Sequence, residues 1–275
     1  MELVKMTHEQ IQSCMLEMLI EFHDFCLKYK IDYSLMGGTL LGAVRHKGFI
    51  PWDDDVDVAV KAEDYDKLLE IIKEHPYLNK KKKYKFLYPA TVSSCYPFIK
   101  IIDENTIVYE KNISHKYRTG VWVDVFKMSY LPDDEHQMQS AFKKVSWYKR
   151  MNQICIAGNI KDLKFKLIYP FILPIRFIFS LFGIDSRYCC RKMMSFDTCF
   201  DTETYGLLCW PENILIDTFK KEWFDELIEG TFEGYPFLIP KAYDQVLSHA
   251  YGDYMKLPDE KDRLIHGFDA FYIEN

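Results

Sequence analysis

The sequence predicts an α+β fold, on three observations. Short apolar runs with two-residue alternation crowd the first half of the chain. Stretches of helical period fill most of the second half from Glu135 onward. Strands and helices segregated in this way, rather than strictly alternating, mark the α+β class. The 275 residues, 48% of them apolar, suffice for one large domain or two unequal ones. The change of pattern divides them into a strand-rich part, 1–130, and a mainly helical part, 131–275.

Each element has its own signal. Thr7 opens a helix, and Gln10 three residues on completes a capping box. Ile11, Cys14, Met15, Met18, Phe22, Phe25, Cys26 and Tyr29 then recur at helical spacing. Residues 33–36 read as a short strand ended by Gly37 and Gly38. Residues 39–47 can form one or two helical turns, broken by Gly48, Pro51 and Trp52. Residues 55–60 alternate, with Val56, Val58 and Val60 on one face and Asp55, Asp57 and Ala59 on the other. A helix over 63–73 stops at Pro76. Strands follow at 85–87, 98–102, 106–110 and 121–126. Helices then run to about Thr202, and a last one lies near 242–251.

Composition narrows the function. Twenty Phe, 19 Tyr and five Trp argue against disorder. A net charge of −6 speaks against a nucleic-acid partner, which calls for a basic face. The basic run at 79–85 reads as a solvated loop. The eight cysteines form no C-x-x-C pair, so reduced thiols in a cytoplasmic protein are the simpler reading. Structural zinc around the adjacent Cys189 and Cys190, which lack regularly spaced partners, is the minority reading. The first thirty residues read as an amphipathic helix rather than a signal peptide.

Residues 167–184 are strongly apolar and follow Lys161, Lys164 and Lys166. A bilayer span takes about 20 apolar residues, and Pro170, Pro174 and Arg176 interrupt this run, so no transmembrane helix is predicted. Two readings stand. One is a buried helical layer, the commoner fate of apolar helices. The other is a surface that dips into the membrane interface beside its lysines, peripheral to the inner face of the cell membrane.

The chemistry concentrates in the segment 37–57, GGTLLGAVRHKGFIPWDDDVD, which opens on glycines and closes on four aspartates. Carboxylates this close repel and resist ionising together. In Asp55-Val56-Asp57 the strand period points both carboxylates to one side, while the valines hold the strand in the core. Two fixed carboxylates facing one cavity make a hard-oxygen site suited to Mg²⁺ or Mn²⁺. An EF-hand loop starting at Asp53 fails, because Val58 falls where the sharp turn needs glycine. A glycosyltransferase-type D-x-D stays open. Strand, Gly37-Gly38, helical turn and carboxylate strand together describe a nucleotidyltransferase-type palm, in which glycine N–H groups meet phosphate beside a metal. Such a palm takes a third carboxylate from another strand, and Asp124 stands alone in the apolar run 121–126. A metal or a nearby cation such as Arg118 would relieve the cost of burying it.

These residues resemble a known family. The run from Tyr33 through Asp57 is similar to the LicD family, phosphocholine transferases of bacterial surface glycans related to fukutin-type phosphoribitol transferases. The similarity continues at Gly120-Val-Trp-Val-Asp124-Val-Phe126, at Phe232-Glu233-Gly234 with Pro240, and at Tyr251-Gly252-Asp253-Tyr254-Met255 with Leu257-Pro258. The resemblance implies a nucleotidyltransferase-type mixed sheet with helical additions in the C-terminal half. It implies transfer of phosphocholine, or a similar phospho-alcohol, from a CDP-linked donor to a sugar hydroxyl. The acceptor would be a surface glycan such as lipopolysaccharide or teichoic acid, or its lipid-linked precursor. Asp55 and Asp57 would bind Mg²⁺, with Asp124 as third ligand or as base for the acceptor hydroxyl. Gly37, Gly38 and Thr39 would meet the diphosphate, and Asp53 would orient the metal's water shell. Residues 131–275 would complete the site and its acceptor side. The chain departs from the family where Phe126-Lys127-Met128-Ser129 replaces Phe-Pro-(apolar)-Asp, on the acceptor side.

Among the nearby cations, Arg45 suits phosphate best, because a planar fork matches its oxygens; pairing with the acidic run is the alternative. Arg263 and His266, three apart, are candidates to face the site from one helical turn. Two other readings remain: a different nucleotide-dependent enzyme (glycosyltransferase or NTP-using nucleotidyltransferase), and a non-catalytic membrane-associated binding module.

Overall fold

The computed structural model describes residues 2–161, 163–196, 202–263 and 267–274. Strand β1 (Glu2–Lys5) leads into helix α1 (His8–Tyr29), whose start is fixed as the sequence predicts. Thr7 Oγ1 accepts the Gln10 N–H, and Gln10 Oε1 accepts the Thr7 N–H in return. The apolar stripe through Cys14, Met18, Phe22 and Phe25 is buried.

The central sheet and its helices follow in chain order. Its elements are β2 (Tyr33–Leu35), α2 (Gly37–Arg45), β3 (Asp57–Lys61), α3 (Ala62–Glu74), β4 (Tyr84–Leu87), β5 (Ile99–Asp103), β6 (Thr106–Glu110) and β7 (Trp122–Leu131). Five of the strands lie in the order β2-β3-β7-β5-β4. Only the β3–β7 pair of this path is parallel, which makes the sheet mixed. Val58, Val60, Val123 and Val125 are fully buried at its centre. Helix α1 packs against β5 and β7, and α3 against β3 and β7. The Tyr65 hydroxyl of α3 accepts the Ile99 N–H, pinning that helix to the sheet.

The second half is less helical than its periodicity suggests. After α4 (Glu135–Ile156), α5 (Leu163–Leu181) and α6 (Ser186–Met194) come β8 (Thr204–Gly206), β9 (Thr218–Lys220), the β10 (Leu227–Phe232)–β11 (Tyr235–Pro240) hairpin, α7 (Tyr243–Tyr251) and β12 (Phe268–Glu274). Strand β7 outruns its apolar segment by five residues, and Met128 and Leu131 in that extension are buried on opposite faces. Its outer end pairs with β8, so a division at 130 falls inside a strand. Strand β12 returns to lie between β1 and β6, tying the last segment to the first half.

Helix α5 overturns the reading of 167–184 as a buried layer. It meets the body along a narrow stripe of Tyr169, Ile172, Arg176 and Phe179, and the rest of its surface is exposed. The Arg176 guanidinium donates to the Ala157 carbonyl at 2.7 Å, which anchors the stripe. Helix α6, by contrast, buries Cys189, Cys190 and Met193 and packs on α4. Among the described residues, no single helix is long and apolar enough to cross a membrane. The seven described cysteines are free thiols, and Cys199 lies outside the described residues.

Candidate active site

The parallel register of β3 and β7 sets Asp57 directly opposite Asp124. Their backbones are locked on both sides. The Asp124 N–H donates to the Val56 carbonyl at 2.9 Å. The Asp57 N–H donates to Thr39 Oγ1 at 2.9 Å, and the Met36 N–H to the Asp57 carbonyl at 3.0 Å. The expected strand at 55–60 begins its ladder only at Asp57, yet the alternation reaches further back. Asp54 and Val56 are buried, while Asp53, Asp55 and Asp57 lie on the half-open side.

The glycine pair stands against these carboxylates. Helix α2 begins at Gly37, and its N-cap Met36 supplies no side-chain hydrogen bond to the first turn. Those N–H groups are a natural anion seat. Gly37 has φ +56°, and a Cβ there would lie 3.2 Å from Asp57 Oδ2. A Cβ on Gly38 would come within 2.7 Å of Asp53 Oδ2. Only glycine lets the turn approach the acids this closely.

Electrostatics mark the same spot. Burial, then the charges of Asp55, Asp124 and Asp53, raise the Asp57 carboxyl well above the usual range. Burial pushes Asp124 up to about 6, with Asp55 and Glu110 adding to the rise and Lys100 opposing it. Lys100 is the cation that the four aspartates lack in sequence. Its Nζ lies 2.8 Å from Asp124 Oδ1 and donates to Oδ2 at 3.1 Å. The approach to Oδ1 is poorly aligned for a hydrogen bond, and that oxygen keeps acceptor capacity. The lysine side chain is 2% exposed, with its ammonium 4.1 Å from the centre of the Trp122 ring and 4.5 Å from that of Tyr96. The partner of Asp124 is therefore Lys100 on the neighbouring strand, not Arg118.

A similar protein anchors these features. The chain is 29% identical to the lipopolysaccharide cholinephosphotransferase LicD of Haemophilus influenzae, over 98% of this chain and 99% of that one. A 34-residue segment is 56% identical to the ribitol 5-phosphate transferase FKRP of Homo sapiens, covering 12% of this chain and 7% of FKRP. Residues 30–159 match the LicD/FKTN/FKRP nucleotidyltransferase domain. The chain carries a LicD-family domain.

That domain spans β2 through α4 and so contains the glycine turn, the aspartates, Lys100 and Asp124. The C-terminal segments that resemble LicD proteins buttress it. Glu233 Oε1 accepts the Phe49 N–H at 2.9 Å, and the Glu233 N–H donates to the Lys47 carbonyl, fixing the loop before the aspartates. Arg45 does not reach toward that loop's acids. Its Nη1 donates to the Tyr254 carbonyl at 2.6 Å and to that of Lys256 at 3.4 Å, so it fastens the C-terminal loop to α2. The Arg263 guanidinium lies 4.3 Å from the centre of the Trp52 ring and 3.7 Å from Glu260, bringing a cation beside the acidic run. His266 lies outside the described residues.

Sequence reasoning missed two site residues. Lys100 could have been found as the mirror of Asp124, a lone charge in an apolar strand. The Tyr251 hydroxyl would lie 4.0 Å from a Gly37 Cβ. Desolvation of the hydroxyl and the charges of Asp57, Asp53 and Asp55 push its phenol up although the residue as a whole is half exposed, so it stays protonated and can donate.

The LicD relationship implies a divalent cation. Among the described residues, no three His, Cys, Asp or Glu side chains form a ready metal cage. The donors present are carboxylate oxygens, with spare capacity on Asp124 and mutual repulsion at Asp57. Mg²⁺ takes one or two carboxylates and fills its shell with water and substrate phosphate. These residues fit a cation completed by a phosphate-bearing substrate.

Proposed function

We propose that this chain is an enzyme, a LicD-type phospho-alcohol transferase. It moves phosphocholine or a similar phospho-alcohol from a CDP-activated donor to a sugar hydroxyl of a cell-surface glycan or its lipid-linked precursor, and releases CMP. The observation that carries the reading is the pairing of Asp57 with Asp124 directly beside the uncapped start of α2. A diphosphate and a bound cation would share that corner.

Mg²⁺ or Mn²⁺, held by Asp55 and Asp57 with Asp124 alongside, would neutralise charge developing on the phosphoryl oxygens. The N–H groups of Gly37, Gly38 and Thr39 would receive the diphosphate. Asp124 would take the proton of the acceptor hydroxyl, and Lys100 orients that carboxylate. Tyr251 would donate to a phosphoryl oxygen from beside Gly37. In-line phosphoryl transfer asks for little beyond such positioning and charge.

The test is a panel of CDP-choline, CDP-ribitol and CDP-glycerol, each with and without Mg²⁺, read as thermal stabilisation and as CMP release. A ligand that binds only the folded form raises Tm by mass action. One CDP-alcohol should stabilise the protein in a Mg²⁺-dependent way and yield CMP with a glycan acceptor. Release of a nucleoside diphosphate from a nucleotide sugar, or of pyrophosphate from an NTP, would overturn the reading.

A further inference from the structure

We propose that α5 is a membrane-seating helix that lies in the surface of an anionic bilayer. The observation is its exposure. Ten large apolar side chains between Phe165 and Phe182 are open to solvent. Phe171 is 73% exposed, Phe177 65% and Phe182 76%. A patch of this kind on a water-soluble surface calls for a partner.

The geometry selects the partner. The docked residues Tyr169, Ile172, Arg176 and Phe179 recur at helical spacing, and the apolar residues wrap the rest of the circumference. A protein partner covers one face of a helix, whereas acyl chains surround whatever is immersed. The charge selects the lipid. Helix α5 has no acidic residue and carries Lys164 and Lys166 on its exposed first turn, besides the docked Arg176. Residues 161–196 hold seven Lys or Arg against two Asp, in a chain of net charge −6. This segment is thus net positive beside its exposed apolar helix, the arrangement that anionic headgroups attract.

The helix lies on the bilayer and does not cross it. Pro170, Pro174 and Arg176 interrupt the apolar run. The next helix, α6, turns away by 74° and is committed to α4 through its buried cysteines. The seat would hold the transferase at a lipid surface whatever its donor proves to be.

Flotation of the full chain with vesicles tests this. Vesicles of phosphatidylcholine with about a third phosphatidylglycerol should carry the wild type upward, and pure phosphatidylcholine much less. Phe171→Ser, Phe177→Ser and Phe182→Ser together should lower the bound fraction at least about tenfold. Lys164→Glu with Lys166→Glu should cost about fivefold per lysine on anionic vesicles alone. All five positions are exposed, and unchanged far-UV circular dichroism will certify the fold. Equal flotation of the triple variant would overturn the proposal. So would wild type that stays with the soluble fraction, or that forms a dimer which the same serines dissolve. Flotation is read without substrate, so its outcome is separate from that of the transferase assay.

Discussion

Lys100 and Asp124 face each other across the antiparallel β5–β7 pair, with Nζ 2.8 Å from Oδ1. This ion pair is the link between the sheet's interior and its acidic edge. One buried ammonium offsets part of the repulsion among carboxylates that fold and site both need. Removing either partner strands the other in a low-dielectric setting.

Lys100→Met keeps much of the side-chain volume against Trp122 and Tyr96 but leaves Asp124 unpaired. Breaking a buried pair costs about 3–5 kcal/mol. Urea unfolding at pH 7.5 should register a loss of that order. Combining it with Asp124→Asn should return most of the loss, since the stranded charge is gone. A double variant no more stable than Lys100→Met would refute the pairing as the source.

Asp57→Asn should trade activity for stability. CMP release should fall by about 10³-fold or more, because the carboxylate serves the developing charge. The metal-free variant should melt higher than wild type at pH 7.5, by about 2–4 °C for each kcal/mol of repulsion removed. The sign follows from the raised carboxyl. Above the ordinary value of 3.8, the folded chain holds a proton that the unfolded chain has lost, so stability falls as pH rises through the window. The penalty is complete above the folded value and absent below 3.8. Melting curves taken below pH 4 should therefore find the two proteins alike.

Gly38→Ala should separate the site from the fold. The new Cβ would meet Asp53 Oδ2 at 2.7 Å and push that carboxylate aside. A displacement near 1 Å at a reacting centre costs about 10²-fold in rate. Ala within a helix is favoured over Gly by roughly 0.5–1 kcal/mol, so Tm should hold or rise while kcat/KM drops. A parallel fall of both would mean that the clash spreads into the sheet.

Tyr251→Phe removes a hydroxyl donor from beside the glycine turn. A donor used on transition-state charge should cost kcat about tenfold or more, with donor KM little changed. Steady-state kinetics at saturating donor will resolve the two. A change in KM alone would make Tyr251 a ground-state contact.

Much of the site was readable in the letters because local rules govern it. The period of two in Asp55-Val56-Asp57, the glycine turn and the lone acid in 121–126 each follow from short-range geometry. What escaped depends on pairing across the chain. Lys100 meets Asp124 only through the β5–β7 register, and Tyr251 meets the aspartates only after α7 folds back. Arg45 reads as a phosphate fork, and the carbonyls of the 254–256 loop that hold its Nη1 come from far along the chain. The apolar run at 167–184 misled for another reason. Its composition fits a core equally well, and only the folded chain shows how much of its surface stays exposed.

The clasp of Arg45 on Tyr254, 209 positions downstream, and of Glu233 on Phe49, 184 positions back, sets an order of events. Loop closure over such separations is costly and slow, so the corner around Asp57 should stiffen later than the strands and helices beside it. A nascent or refolding molecule would thus acquire secondary structure well before it acquires competence.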